Sequence, residues 1–149
     1  MDPNIAPTRL KSQPSWLVNQ LSIHAHRVVT EHLKAAHVAH RYHYSLLAGL
    51  AENGPASQAD LGRLVGLDRS DVTAAINDLA AQGLVERATD PADRRRNVVT
   101  ITEVGRAHLE EMEALLARAQ DELLTPLSTA ERAELVRMLT VLLAHHTAG

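Results

Sequence analysis

Three consecutive arginines, Arg94, Arg95 and Arg96, stand between a turn-rich stretch, residues 90–93 (DPAD), and a β-branched run, residues 97–101 (NVVTI). A guanidinium group offers a planar fork of donors, so arginines in such a loop can bind phosphate oxygens or enter the minor groove of DNA. An isolated basic triplet is more often a solvated loop that aids solubility. The elements around this triplet must therefore decide between the two interpretations.

A second set of polar side chains lies on the helix predicted to begin after Asp68. At 100° per residue, Val72, Ile76 and Leu79 share one arc and are expected to face the core. The opposite arc carries only small or short polar side chains, with Arg69 at the start of the helix: Ser70, Thr73, Ala74 and Asn77. Such side chains can approach base edges and thymine methyl groups in a major groove. Two aspartates in the same helix favour the alternative, an ordinary exposed polar face.

The elements that position these residues are predicted from local start and stop signals. Ser57, followed three residues later by Asp60, is a capping-box-like start for a short helix that Gly66 ends. Asp68 can cap the next helix, which Gly83 ends. Two short helices joined by a glycine-containing turn are the helix-turn-helix pattern.

Two strands are predicted directly afterwards, over residues 84–87 and 97–101, with the DPAD turn between them. A helix-turn-helix followed by a two-stranded hairpin is a winged helix-turn-helix. The predicted fold class is therefore mainly α with a small β-hairpin wing, and the arginine triplet lies at the tip of that wing.

Composition limits the remaining classes of function. The chain has 149 residues, a net charge of −3 and no cysteine, which excludes disulfides and thiolate zinc sites and suits a reducing compartment. The sequence contains no glycine-rich phosphate loop and no Gly-x-Ser-x-Gly or His-Glu-x-x-His motif, so we expect neither an enzyme nor a cofactor. Without a membrane-length apolar run or a signal peptide, we expect a cytoplasmic protein with no membrane partner.

The wing resembles that of the MarR (multiple antibiotic resistance regulator) family of transcription factors, and the resemblance covers residues 15–146. The family's pattern is Asp, any residue, Arg, and then a strand that ends in Leu-Thr-x-x-Gly. Asp93 and Arg95 match the first part, and Ile101-Thr102-Glu103-Val104-Gly105 matches the second with Ile in place of Leu.

The resemblance implies a homodimer that binds an inverted repeat in double-stranded DNA and acts as a repressor released by a small ligand. Each subunit would place its recognition helix in a major groove and Arg95 in the minor groove. Arg94 would lie on phosphate, and Asp93 would orient the wing by pairing with an arginine. The predicted DNA-binding residues are Ser57, Arg69, Ser70, Thr73, Asn77, Asp93, Arg94, Arg95 and Arg96.

The resemblance also implies a domain organisation. Residues 1–14, with three prolines, are predicted to be a flexible arm, and residues 15–147 a single domain. Residues 15–53 and 103–147 would supply mainly dimerisation helices, and residues 55–102 the winged helix-turn-helix. The apolar stripes of the long helices exceed what a small winged domain can cover, which also favours a partner.

Members of the family often bind a phenolic compound or an aromatic carboxylate. The predicted effector-binding residues are Trp16, Gln20, His24, Arg41, Tyr42 and His43. An aromatic ring, imidazoles and a guanidinium could hold a planar anion. The alternative is that Trp16 packs at the dimer interface and the histidines form local hydrogen bonds.

Two further functions are left open, and the nine histidines of the chain suggest the first of them. His37, His40 and His43 are spaced by three, His24 and His26 by two, and His145 and His146 are adjacent, so a zinc-responsive regulator is one alternative. Spacings of three and six drift around a helix, so we predict surface or interface histidines and no metal site. The other alternative is a winged-helix module that binds protein through its wing.

Overall fold

The structure is a computed structural model, and it describes residues 5–34 and 41–149. Its elements within these ranges are α1 (Thr8–Lys11), α2 (Pro14–Lys34), α3 (Arg41–Asn53), β1 (Ala56–Ser57), α4 (Gln58–Val65), α5 (Arg69–Ala81), β2 (Val85–Thr89), β3 (Asn97–Ile101), α6 (Glu103–Leu123) and α7 (Thr129–Thr147). The chain divides into two compact units. We call residues 29–117 the winged unit, and residues 1–28 with 118–149 the terminal unit.

The helix-turn-helix begins and ends where the local signals predict. The Ser57 hydroxyl accepts a hydrogen bond from the Asp60 N–H at 3.1 Å, which caps α4, and Gly66 ends that helix with φ 71°. The Asp68 carboxylate accepts from the Asp71 N–H at 2.8 Å and caps α5. These bonds satisfy N–H groups that the first turn of a helix leaves without a partner, so the two helices start at defined residues.

The wing is a three-stranded antiparallel sheet with the strand order β1-β3-β2. Strands β2 and β3 form the predicted hairpin, with Arg87 opposite Val99. Strand β1 was not predicted: Ala56 pairs with Val99 and Ser57 with Val98 on the other edge of β3. Two residues are too short to show the alternation that identifies a strand, so only the long-range pairing reveals it.

The core of the winged unit confirms the inward arc of α5. Val72, Ile76 and Leu79 are buried, with relative exposures of 0–1%. They belong to one cluster with other fully buried apolar side chains of the described part of this unit: Leu46, Leu47, Leu50, Leu61, Val99 and Met112. Each such side chain contributes about 1.5–3 kcal/mol by leaving water. This packing fixes the rotation of α5 and leaves its opposite arc exposed.

The start of α6 lies against the start of β2 at very short range. A Cβ atom on Gly105 would lie 2.1 Å from the carbonyl oxygen of Leu84, so only glycine fits. Thr102 holds the same junction: its N–H donates to that oxygen at 3.1 Å, and its hydroxyl donates to the Gly83 carbonyl at 2.7 Å. The Ile-Thr-x-x-Gly sequence therefore fixes α6 to the wing by close approach and hydrogen bonds.

Helix α3 contributes to the core of the winged unit. It lies within that unit, where Leu46, Leu47 and Leu50 form part of the core, and the assignment of residues 15–53 mainly to dimerisation stays a prediction. The same applies to α6 up to residue 117. Periodicity identifies the apolar side of each helix but not the element that the side packs against.

In the terminal unit, Ser128 and Glu131 form a capping box at the start of α7. Helix α1 lies within residues 1–14, where the sequence predicts a flexible arm, and α2 begins at Pro14. Proline is tolerated in the first turn of a helix, where its missing N–H would have no intrahelical partner. Across the described ranges, no helix is both long and apolar enough to cross a membrane.

Candidate nucleic-acid interface

The outer arc of α5 is exposed at Ser70, Thr73, Ala74 and Asn77, as the sequence predicts. Together with Asp68 and Arg69, these residues line a shallow surface depression. Internal hydrogen bonds already use part of the hydrogen-bonding capacity of this arc. They determine which chemical groups it presents outwards.

The hydroxyl protons of Ser70 and Thr73 are both donated within the protein. Ser70 donates to the Asp68 carboxylate at 2.8 Å, and Thr73 donates to the Arg69 carbonyl at 2.9 Å. Thr73 also accepts from the Gln58 amide at 3.3 Å. Ser70 therefore retains acceptor capacity, and the main group that Thr73 presents to a ligand is its methyl.

Asn77 is bound by a residue of the wing. An Arg87 Nη1 group on β2 donates to Asn77 Oδ1 at 2.6 Å, and both side chains are exposed. Arg87 is not among the predicted DNA-binding residues, because nothing in its local sequence pattern indicates that β2 faces the outer end of α5.

The wing tip is built around two aspartates. Asp90 Oδ1 accepts from the Ala92 N–H at 2.9 Å. Asp93 Oδ1 accepts from both the N–H and the Nε of Arg95, at 3.0 and 3.2 Å. This is the arginine pairing that the sequence analysis predicts for Asp93. The Arg95 side chain is 91% exposed, so Asp93 directs it without burying it. Arg94 is also exposed.

Arg96 points back to α4. Its Nη2 lies 3.1 Å from Asp60 Oδ2, and Arg63 binds the other oxygen of the same carboxylate. Hydrogen bonding from Ser57, followed by the two guanidinium groups, lowers the pKa of Asp60 below its usual value, so the carboxylate is ionised near neutral pH. Arg96, predicted as a DNA-binding residue, thus ties the wing to the first helix of the helix-turn-helix.

Ser57, also predicted as a DNA-binding residue, is only 7% exposed, and its hydroxyl caps α4. The structure gives its side chain this structural role. Burial follows from its place in β1, which the sequence did not reveal.

A cleft joins these features. It is lined by residues of α4, the start of α5 and the wing, among them Arg63, Arg69, Arg95, Arg96 and Asp60. We call it the arginine cleft. Its lining residues carry four guanidinium groups and one carboxylate, and it stays locally positive when Asp93, which binds Arg95, is included, although the chain has a net charge of −3. A concave site lined by one sign of charge focuses its field and attracts anions such as phosphates. Arg63 was not predicted, since its spacing from Asp60 resembles an ordinary helical ion pair.

The predicted effector-binding residues fall in both units. Trp16 and Gln20 are half-buried on α2, and His24 is exposed, with Nδ1 3.2 Å from Arg27 Nη2. In the winged unit, Tyr42 is half-buried and His43 is 1% exposed, with Nε2 3.9 Å from the Asp78 carboxylate. The side chain of Arg41 lies outside the described residues.

The histidine alternative receives no support from the part of the chain that the structure describes. Within it, no group of three or more His, Cys, Asp or Glu side chains could hold a metal ion. His145 and His146 contact each other edge to face at 5.0 Å. His37 and His40 lie outside the described residues.

The fold and the interface define a winged helix-turn-helix domain, with an exposed recognition helix beside arginines at the wing. Residues 39–96 match the model of the MarR family. NicR is an HTH-type transcriptional repressor of Pseudomonas putida. It is 31% identical to this chain over 93 residues, which are 62% of this chain and 59% of NicR.

Two solved structures have the same fold. One, a "probable transcriptional regulator" of Pseudomonas aeruginosa, has a TM-score of 0.79 at 28% identity and covers 89% of this chain and 98% of its own. The other is BpsR of Bordetella bronchiseptica, whose DNA binding is regulated by 6-hydroxynicotinic acid. It has a TM-score of 0.78 at 26% identity and covers 92% of this chain and 97% of its own. The chain is therefore similar to the MarR family over residues 39–96. It spans under three-fifths of the length of the curated relatives it matches, 58% and 59%.

Proposed function

We propose that the protein is a homodimeric, sequence-specific DNA-binding transcriptional regulator, and that it represses its target until a small ligand releases it. One observation carries the proposal: the start of the recognition helix and the wing arginines line a single positive cleft. A protein that reads DNA must bind phosphates to fix its register and reach base edges to specify sequence. The cleft can provide the first function and the outer arc of α5 the second.

The proposed roles follow the positions of the side chains. Arg95, exposed and aimed by Asp93, enters the minor groove, and Arg94 binds phosphate. Arg69 contacts phosphate or a base edge at the start of α5. Ser70, Thr73 and Asn77 face the bases of the major groove. Arg96 acts through Asp60, holding the wing, in addition to any phosphate contact.

A second copy of the chain is the partner that the terminal unit favours. Large apolar side chains are exposed on both of its long helices: Leu17, Val18, Leu21 and Ile23 on α2, and Val136, Met138, Leu139, Val141, Leu142 and Leu143 on α7, each between 40% and 65% exposed. Apolar surface of this extent normally marks an interface. Two copies related by a twofold axis would present two recognition helices about 34 Å apart to the halves of an inverted repeat.

The proposed effector is a planar aromatic acid. Support comes from BpsR, whose DNA binding responds to 6-hydroxynicotinic acid, and the residues that the sequence predicts for effector binding stay a prediction. A regulator of this kind works on the chromosome in the cytoplasm and carries out no catalytic step.

Selection of bound DNA from a random pool tests the proposal. We expect an inverted repeat with half-sites one helical turn apart, a dimer by sedimentation, and release of the selected site by at least one member of a panel of aromatic acids. Failure to enrich any sequence would refute sequence-specific binding. Enrichment of a single half-site by a monomer would refute the dimer, and retention of the site with the whole panel would refute the effector class.

A further inference from the structure

Arg87, on β2, donates a hydrogen bond to Asn77 on the exposed arc of α5. We infer that the charge-assisted hydrogen bond from Arg87 fixes the orientation of the Asn77 amide, so that the amide presents its N–H donors to the operator DNA. The amide then selects guanine at the base pair that Asn77 faces. The inference rests on the proposed function, because it takes α5 as the helix that enters the major groove.

The orientation of the amide follows from the chemistry of its partner. A guanidinium group has only donors, so the atom of Asn77 that lies 2.6 Å from Arg87 Nη1 must be the carbonyl oxygen. The NH₂ group is therefore on the side of the amide away from Arg87. Both side chains are exposed, so a base edge can approach the amide.

An asparagine with both amide atoms available pairs with adenine, since it donates to N7 and accepts from N6. At Asn77 the acceptor is already engaged. Its remaining lone pair lies beside a positive charge, which disfavours the approach of a further N–H donor. The base edge that fits two free amide hydrogens next to a positive charge carries only acceptors. In the major groove, guanine presents two such acceptors, N7 and O6, whereas thymine presents only O4 beside its methyl group, so guanine fits both amide hydrogens.

Arg87 acts here as a positioning residue. Its effect on binding passes through the polarity of the neighbouring amide, so its removal should alter one base preference and leave the others unchanged. A phosphate contact would behave differently, since its loss weakens binding to all sequences alike.

The test uses the full-length protein and the site selected from random DNA by the wild type. Each base pair of one half-site is replaced in turn, and affinities are measured by fluorescence anisotropy. For the wild type, we expect one G·C pair at which replacement by A·T costs on the order of tenfold, and at which 7-deazaguanine, which lacks the N7 acceptor, also weakens binding.

Three variants then isolate the effect of Arg87. Arg87→Ala should reduce the guanine preference at that pair to within about threefold, with the preferences elsewhere kept. Arg87→Lys, which retains a donor-only cation, should restore most of the preference. Asn77→Asp keeps an acceptor for Arg87 but has no donors, so it should lose the guanine preference and shift towards cytosine, whose N4 donates.

The outcomes separate this inference from the proposed function. A guanine preference that survives Arg87→Ala would overturn the role of Arg87, and so would an equal loss of affinity on every sequence. The amide orientation would be overturned if the wild type preferred adenine at the base pair whose preference is lost in Asn77→Asp. If the wild type selects no sequence at all, the proposed function itself fails.

Discussion

Replacing Gly105 by alanine should destabilise the winged unit, although alanine is the better helix former. A Cβ at this position would lie 2.1 Å from the Leu84 carbonyl oxygen and 2.9 Å from Ile101 Cγ1. Carbon and carbonyl oxygen normally approach no closer than about 3.3 Å. The start of α6 and the start of β2 must therefore separate by roughly 1 Å, which changes the contacts of α6 with Leu84 and Ile101.

The expected change in the free energy of unfolding is the sum of three contributions, of which one is stabilising and two are destabilising. Alanine in place of glycine stabilises a helix by about 1 kcal/mol. Overpacking against a backbone atom costs about 1–3 kcal/mol. Movement of the Leu84 oxygen also weakens its hydrogen bond from the Thr102 N–H, which costs about 1 kcal/mol. The free energy of unfolding should therefore fall by about 2 kcal/mol, and the melting temperature by roughly 4–8 °C for a chain of this size.

Thermal unfolding followed by circular dichroism at one fixed protein concentration measures this change. Gly49→Ala is the matched control, because it adds the same methyl to the interior of α3. There the nearest atoms, 3.3 Å away, are the side-chain ends Leu61 Cδ1 and Leu64 Cδ2, which can move. We expect Gly49→Ala to stay within about 1 kcal/mol of the wild type. The reasoning is refuted if Gly105→Ala melts at or above the wild-type temperature, or if both variants are destabilised equally.

The remaining predictions concern the wing, the recognition helix and its cap. Arg94→Ala and Arg95→Ala should each make log K fall less steeply with log salt, by about 0.9 per protomer; unchanged slopes in both variants would contradict the wing assignment. The Thr73 hydroxyl is already bound to a backbone carbonyl at 2.9 Å, so its methyl group is the group that should contact a thymine methyl. Thr73→Val should therefore keep a preference for thymine over uracil at one position of each half-site, and Thr73→Ser should lose it. The reverse order in binding titrations would show that the hydroxyl is what reads the base. Hydrogen bonding from the backbone of Asp71 lowers the pKa of the Asp68 carboxyl, so its stabilising effect is present above about pH 4 and is lost as the pH falls through that lowered pKa. The difference in melting temperature between the wild type and Asp68→Asn should therefore shrink between pH 6 and pH 3, and a difference that grows would contradict this.

The features predicted correctly from the sequence are those with local causes. Asp68 caps α5 through an N–H three residues away, and Gly66 ends α4 through its own φ angle. The inward arc of α5 follows from helical periodicity alone. Each of these signals lies within a few residues of the structure that it causes, so no tertiary information is needed.

The features missed depend on contacts that are distant in sequence or on side-chain direction. Arg96 binds Asp60 across 36 positions, and β1 exists only because it pairs with β3. The bond between Arg87 and Asn77 spans ten positions, but it requires β2 to lie beside α5. A single sequence shows that these residues are polar and does not show that they meet.

Under the proposed function, one arc of α5 contributes to the stability of the fold and the other to the choice of DNA site. The buried arc contributes to the core, while the exposed arc takes no part in it. A substitution on the exposed arc can therefore redirect the protein to a new site at little cost in stability. The pair formed by Arg87 and Asn77 is the exception, because a new base preference there requires compatible changes in two elements. Along a line of descent, this position should be the slowest of the recognition surface to change its preference.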